Sequence, residues 1–242
     1  MSPSAPPPAT RRGEAALNDG GEMTDLHIGG ITPLTTIDYP GELAAVVFCQ
    51  GCPWRCRYCQ NGHLLSREAS SPVAWSQVLD WLGRRRGLLD AVVFSGGEPT
   101  LQTALPQAVR AVRALGFKVG LHTAGCYPAR LDALLTDIDW VGLDVKALPE
   151  DYDALTGVPG SGARAWESLE RLVASGVAHE VRVTVHDRLL PPDRLARLVE
   201  CLREAGAAEV MLQHCRTEQV LDPLLGANTG CWVGEERRPA AA

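Results

Sequence analysis

With 242 residues, 45% of them hydrophobic and 21% charged, the chain suits one large domain with a sizeable core, a size at which α/β barrels commonly stay undivided. A formal net charge of -6, with basic residues scattered along the chain, leaves no electrostatic footprint for nucleic acid. No apolar stretch resembles a signal peptide or approaches the roughly 20 residues of a membrane span, so a cytoplasmic protein is expected. In that compartment the eight cysteines signal metal or redox chemistry rather than a disulfide framework.

In chain order, residues 1–24 are rich in Pro, Gly and polar side chains and cannot bury enough apolar surface to offset their ordering entropy. They are predicted to be a disordered tail, ahead of a domain at 25–222 and a C-terminal extension at 223–242 that frays at its end. A first β-like run, Leu43 to Cys49, leads straight into Cys49-Gln-Gly-Cys52-Pro-Trp-Arg-Cys56-Arg-Tyr-Cys59. Trp75, Val78, Leu79 and Leu82 then mark one apolar helical stripe by their i, i+3, i+4, i+7 spacing. A second strand, Ala91 to Ser95, runs into Ser95-Gly-Gly-Glu-Pro99, and a third, Lys118 to His122, into His122-Thr-Ala-Gly125. A fourth, Trp140 to Asp144, closes with Asp144-Val-Lys146; a fifth, Glu180 to His186, carries Arg182. Leu195, Leu198, Val199 and Leu202 repeat the helical stripe, and a sixth strand, Glu209 to Gln213, ends beside His214. Pro72, Pro128 and Pro191-Pro192 sit near helix starts, where a missing N–H costs little.

Strands alternating with helices argue for parallel βαβ units with right-handed crossovers. The expected fold is α/β, an open partial (β/α)6 barrel. Nearly every unusual polar cluster follows a strand, at the carboxyl rim where parallel barrels place their sites.

The cysteine run is the most informative of these clusters. Cys52, Cys56 and Cys59, spaced C-x3-C-x2-C, can hold three corners of a 4Fe–4S cube and leave one iron open. Two rivals enlist Cys49 as a fourth ligand: a closed tetrahedral zinc staple, or a ferredoxin-like cluster serving electron transfer alone. Cys49 ends an apolar strand, where a small buried cysteine is ordinary packing, and a closed site leaves the other strand-end motifs unexplained. Cys126, Cys201, Cys215 and Cys231 form no CxxC pair and read as packing thiols.

The loop Cys52-x3-Cys56-x2-Cys59, with Tyr58 before the last cysteine, resembles the radical S-adenosylmethionine signature. The upstream stretch Gly29-Gly-Ile-Thr-Pro-Leu-Thr-Thr-Ile-Asp-Tyr-Pro-Gly41, then Phe48-Cys-Gln-Gly-Cys52, resembles the glycyl-radical activating branch. Within that branch it is most similar to activating proteins of anaerobic ribonucleoside-triphosphate reductase. Phe94-Ser-Gly-Gly-Glu-Pro-Thr100, Asp144-Val-Lys-Ala147 and Tyr152-Asp-Ala-Leu-Thr-Gly157 extend the likeness over about residues 27–217.

The resemblance implies a 4Fe–4S cluster and S-adenosylmethionine as cofactors, with the latter cleaved reductively to methionine and a 5′-deoxyadenosyl radical. It implies a glycyl radical enzyme as protein substrate, or another such enzyme in place of the reductase, for example pyruvate formate-lyase. An electron donor such as flavodoxin or ferredoxin follows, with no nucleic acid or membrane partner. Cofactor contacts carried over are the loop Ser95, Gly96 and Gly97 at the methionine amino group, with Glu98 in the same cofactor-binding motif helping to fix that loop, and Asp144 and Lys146 at sugar and carboxylate. Arg182 would meet the carboxylate, Gln213 or His214 the ribose or adenine, and Tyr58 the adenine, with Thr123 placed beside them. His186 reads as a solvated loop residue. Two positions depart from the pattern: Gln60 stands before Asn61 where relatives have His, and His122 stands where some relatives have an Asp that helps hold a monovalent cation.

Overall fold

A computed structural model describes residues 25–226. The tail at 1–24, Cys231 and residues 227–242 of the extension lie outside the described residues.

All six predicted strands form, at Ala44–Cys49 (β2), Ala91–Gly96 (β3), Lys118–Thr123 (β4), Trp140–Asp144 (β5), Ala178–Val185 (β6) and Val210–His214 (β7). A further strand, Ile28–Thr35 (β1), precedes them and pairs antiparallel with β2. The spatial order follows the chain from β1 to β7, and all pairs from β2 onward are parallel. The result is an open, curved α/β sheet of seven strands, a partial barrel. Helices Trp75–Gly83 (α1), Leu105–Ala114 (α2), Pro128–Asp132 (α3), Tyr152–Thr156 (α4), Ser161–Ser175 (α5) and Pro192–Glu204 (α6) fill the connections.

Alternation along the strands separates two faces. Ala45, Val47 and Cys49 of β2, Val92 and Phe94 of β3, and Val141 and Leu143 of β5 pack in the large outer core with Val78 and Leu82 of α1 and Leu198 and Leu202 of α6. Each fully buried Leu, Val or Phe there contributes roughly 1.5–3 kcal/mol over exposure. The inward face is a smaller cluster of Tyr39, Ala44, Val46, Ala91, Val93 and Trp140, with Phe48 against it. Tyr39 belongs to the β1–β2 turn, which folds into the barrel so that its ring stacks on Trp140 at 5.3 Å. Only glycine fits opposite it: a Cβ at Gly120 would stand 2.9 Å from the Tyr39 ring. The barrel floor is therefore closed by its own hairpin, and the polar residues collect above it at the carboxyl ends. Among the described residues no helix is long and apolar enough to cross a membrane.

Candidate active site at the carboxyl rim

The cysteine loop after β2 is built almost wholly on backbone hydrogen bonds to other loops. Gly51 and Cys52 N–H donate to Leu64 and Leu65 carbonyls at 2.8 and 3.2 Å; Arg55 and Arg57 N–H donate to Thr156 and Leu155 carbonyls, both at 3.0 Å. The Tyr152-to-Gly157 motif thus serves as the loop's cradle, and Trp54 packs edge-on against Tyr152 at 5.8 Å. On the far side Leu221 N–H donates to Cys59 O and Asp222 N–H to Arg57 O, while Arg57 Nε meets the Asp222 carboxylate at 2.7 Å. Gln60, a departure from the expected His, donates to Arg216 O at 2.6 Å and fastens the loop to the segment after β7.

Cys52 and Cys59 are partly exposed on this loop and Cys56 is buried. Burial pushes the Cys52 thiol up to about 12 and raises Cys56 as well, against the lowering pull of Lys146. Such thiols become thiolates when a soft metal ion supplies the compensating charge. Cys49, by contrast, lies within β2 on the outward parity of Ala45 and Val47 and is fully buried. Among the described residues no three or more His, Cys, Asp or Glu are drawn together as ligands of a single ion. A four-iron cube asks its thiolates to stand further apart than one ion does.

The Gly-Gly-Glu loop after β3 is locked to the cysteine loop. Gly97 N–H donates to Cys49 O and Glu98 N–H to Gly51 O, both at 2.9 Å. Gly96 adopts φ +114°. A Cβ there would lie 2.5 Å from Cys49 N, and one on Gly97 would lie 2.3 Å from Gly51 O. Backbone meets backbone at these positions, so no side chain can yield. Gly97→Ala is expected to shift the cysteine loop, costing about 1–3 kcal/mol as overpacking does, with a lower iron content after anaerobic reconstitution; unchanged iron loading and melting would refute this.

Glu98 is fully buried. Its carboxylate accepts from Thr100 N–H and Oγ1–H at 3.1 and 2.5 Å, from Thr123 Oγ1–H at 2.7 Å, and from Ala124 N–H at 2.9 Å. Thr123 is itself buried and accepts from Gly125 N–H at 3.1 Å. Glu98 and Thr123, placed by sequence at the cofactor, thus direct their side chains into a latch between the loops after β3 and β4.

The remaining rim residues gather on the inward face. Ser95, His122, Asp144 and Arg182 follow the inward parity of Val93, Gly120, Trp140 and Glu180. Arg182 Nε stands 3.2 Å from Asp144 Oδ1 and 3.8 Å from Glu180 Oε1, and Lys146 Nζ stands 3.7 Å from Asp144 Oδ2. Burial works against the Asp144 charge, but Arg182 and Lys146 outweigh it and hold its carboxyl below the usual range. Burial raises Glu180 instead. The Asp144 side chain keeps 39% exposure while Arg182 and Lys146 keep 12% and 10%. A cation-lined, acid-bearing recess therefore opens to solvent at the acid.

Lys146 Nζ lies over the Tyr58 ring, 5.6 Å from its centroid. Tyr58 Oη is buried without a hydrogen-bond partner. Buried polar atoms are rarely left so, and this one belongs to the ring that carries Lys146 beside the recess. Three soft sulfur donors on one loop, a fourth cysteine kept in the strand, and a recess offering cations and a carboxylate fit an open iron–sulfur cluster with a zwitterionic ligand beside it.

On β7, Gln213 pairs in register with Thr184, on the inward parity of Arg182, and His214 pairs with Val185; both residues are exposed. The reading of His186 as solvated is corrected: it is fully buried, and its Nδ1 accepts Arg188 N–H at 3.2 Å in the turn that follows β6. Cys126 is buried near Glu98 and Cys52, and burial holds its thiol well above the ordinary range.

A family model described as the Radical SAM superfamily matches residues 46–187. Over 131 residues the chain is 36% identical to MJ1227 of Methanocaldococcus jannaschii, named as a glycyl-radical enzyme activating enzyme, covering 52% of each chain. It is 27% identical over 198 residues to the pyruvate formate-lyase-activating enzyme of Clostridium pasteurianum, covering 77% of this chain and 82% of that one. It is 31% identical over 186 residues to the PqqA peptide cyclase of Ruegeria pomeroyi, covering 74% of this chain and 48% of that one. The chain thus spans about half the length of MJ1227 and of the peptide cyclase. Among solved structures, Streptococcus suis SuiB bound to S-adenosylmethionine superposes with a TM-score of 0.57 at 16% identity, over 71% of this chain and 41% of that one. Native anSMEcpe with bound AdoMet gives 0.56 at 17% identity, over 73% and 54%. At such identities the structural likeness speaks for the fold.

Proposed function

The chain belongs to the radical SAM superfamily, and from that premise we propose that it activates a glycyl radical enzyme, with anaerobic ribonucleoside-triphosphate reductase as the partner. The superfamily uses a 4Fe–4S cluster and S-adenosylmethionine, and the chain is related to glycyl-radical enzyme activases. When bound, this pair supplies a 5′-deoxyadenosyl radical by reductive cleavage of the sulfonium, and that radical takes a hydrogen atom from the partner's glycine.

In this reading Cys52, Cys56 and Cys59 hold three irons, and the protein leaves the fourth to the cofactor. Lys146 and Arg182 attract the carboxylate of the methionine moiety, for which Arg182 brings a fork-shaped set of donors. The Ser95-to-Gly97 carbonyls accept from its amino group, and Asp144 accepts from ribose hydroxyls. Tyr58 screens the adenine from water, Gln213 or His214 reaches it or the ribose, and Glu98 with Thr123 keeps the glycine loop at its post. Residues 25–222 form the catalytic domain. The side left open between β7 and β1 admits the partner's glycine segment, and the electron arrives from a flavodoxin or ferredoxin.

The observation that carries the activase reading is coverage: the alignment spans 82% of a pyruvate formate-lyase-activating enzyme but 48% of a peptide cyclase. Activation of a different glycyl radical enzyme is the second reading, favoured by that same relative's name. The test is to incubate anaerobically reconstituted, dithionite-reduced protein with S-adenosylmethionine and measure 5′-deoxyadenosine, then add either partner and record electron paramagnetic resonance. Formation of 5′-deoxyadenosine with a glycyl doublet on the reductase is expected. A doublet on pyruvate formate-lyase alone reassigns the partner, and no 5′-deoxyadenosine at all rejects the reading.

A further inference from the structure

His122 ends β4 on the inward face, and its side chain is held on three sides. Its Nε2 lies 2.7 Å from Asp38 O, its Nδ1 lies 3.4 Å from Ser95 Oγ, and its ring meets Trp140 edge-on at 5.6 Å. A carbonyl oxygen can only accept, so the ring proton sits on Nε2 and is spent on Asp38. Nδ1 is then bare and accepts the Ser95 hydroxyl, which leaves that oxygen's lone pairs turned away from the ring. Arg182 Nη1 stands 3.4 Å from Nε2, where no lone pair remains to receive it. The guanidinium can only lean on the imidazole edge while Asp144 and Glu180 face it from β5 and β6.

The anchor of this arrangement lies 84 residues earlier in the chain. Asp38 belongs to the β1–β2 turn, fixed by the Thr35 hydroxyl donating to the Asp38 carboxylate at 2.6 Å and by Tyr39 stacked on Trp140. Burial and the neighbouring Arg182 lower the His122 pKa to about 4, so the ring stays neutral across the working range. A charged ring would repel Arg182 and would have no lone pair for Ser95.

Resting on the proposed function, we propose that His122 is a positioning residue for the sulfonium cofactor. It orients the Ser95 hydroxyl as an acceptor for the cofactor's ammonium and backs the Arg182 guanidinium toward its carboxylate. His122 touches no reacting atom in this scheme; it transmits the rigidity of the barrel floor to two groups that do the binding.

The test compares His122→Phe, which keeps a ring against Trp140 but loses both hydrogen bonds, with His122→Asn, which restores a neutral donor and acceptor. Iron and sulfide are counted first on reconstituted protein, then the Kd and KM for S-adenosylmethionine and the kcat for 5′-deoxyadenosine are measured. His122→Phe should load its cluster normally and weaken Kd and KM about tenfold, equivalent to about 1.4 kcal/mol, with kcat within roughly twofold. His122→Asn should recover most of that affinity. On the cofactor-free chain, nitrogen-15 spectra should show a neutral His122 ring protonated at Nε2 from pH 6 to 8.

Unchanged cofactor affinity in His122→Phe, a ring protonated at Nδ1, or equal loss in both variants together with a lowered melting temperature would each overturn the proposal. A wild-type chain that loads no cluster is read from iron content before any cofactor is added. That outcome defeats the superfamily chemistry here, and the role of His122 falls with it.

Discussion

Alanine at Cys52, Cys56 or Cys59 is expected to abolish cluster assembly and to reduce S-adenosylmethionine cleavage to background, a loss of roughly a thousandfold or more because the ligands act as one unit. Cys49→Ala is expected to keep the cluster. The asymmetry follows from placement. The three loop cysteines lie beyond the end of β2 on a segment clamped by Leu64, Leu65, Leu155 and Thr156, whereas Cys49 is paired within the strand and buried in its outward row. Turning Cys49 toward the rim would mean slipping β2 by one residue, which would send Ala45 and Val47 out of the core as well. Iron and acid-labile sulfide content, with ultraviolet–visible and Mössbauer spectra after anaerobic reconstitution, decide the matter. Loss of the cluster in Cys49→Ala would make the site a closed four-cysteine centre, with no iron free for a cofactor.

How far the sequence foretold this molecule depended on how local each feature was. Parallel strands announced themselves because runs such as Ala44–Cys49 and Ala91–Gly96 are buried on both faces and nearly free of polar residues. β1 is not legible in the sequence because Gly29, Gly30 and Pro33 are poor strand formers. It is an edge strand with irregular register on both sides of its central pairs, where Pro is tolerated. The inward grouping of Asp144 and Arg182 was foreseeable from strand alternation. The roles of Thr123 and His122 were not, since each is set by a partner on another loop, and the loop-fixing role expected of Glu98 came without the partners that carry it out. Strand-end position alone cannot distinguish a side chain facing a ligand from one bonded to its neighbouring loop. The Tyr152-to-Gly157 stretch was visible as a motif, but its work of holding Arg55 and Arg57 amides emerges only in three dimensions.

Glu98→Ala is expected to lower unfolding stability by roughly 3–5 kcal/mol, since each buried donor left unpaired costs about 1–3 kcal/mol and part of that is relieved by relaxation. Four donors lose their acceptor at once: the Thr100 amide and hydroxyl, the Thr123 hydroxyl and the Ala124 amide, with both threonines buried. Glu98→Gln preserves shape and one acceptor oxygen but turns an NH2 group toward other donors, so an intermediate loss is expected. Urea denaturation of the cofactor-free chain measures both changes without relying on the cluster. The damage should spread to the site, because Glu98 N–H and Gly97 N–H also tie this loop to Gly51 and Cys49 at the base of the cysteine loop. Reconstituted Glu98→Ala should accordingly hold less iron than Glu98→Gln. A Glu98→Ala chain as stable as wild type, yet unable to bind S-adenosylmethionine, would instead assign the carboxylate to the cofactor and remove it from the latch.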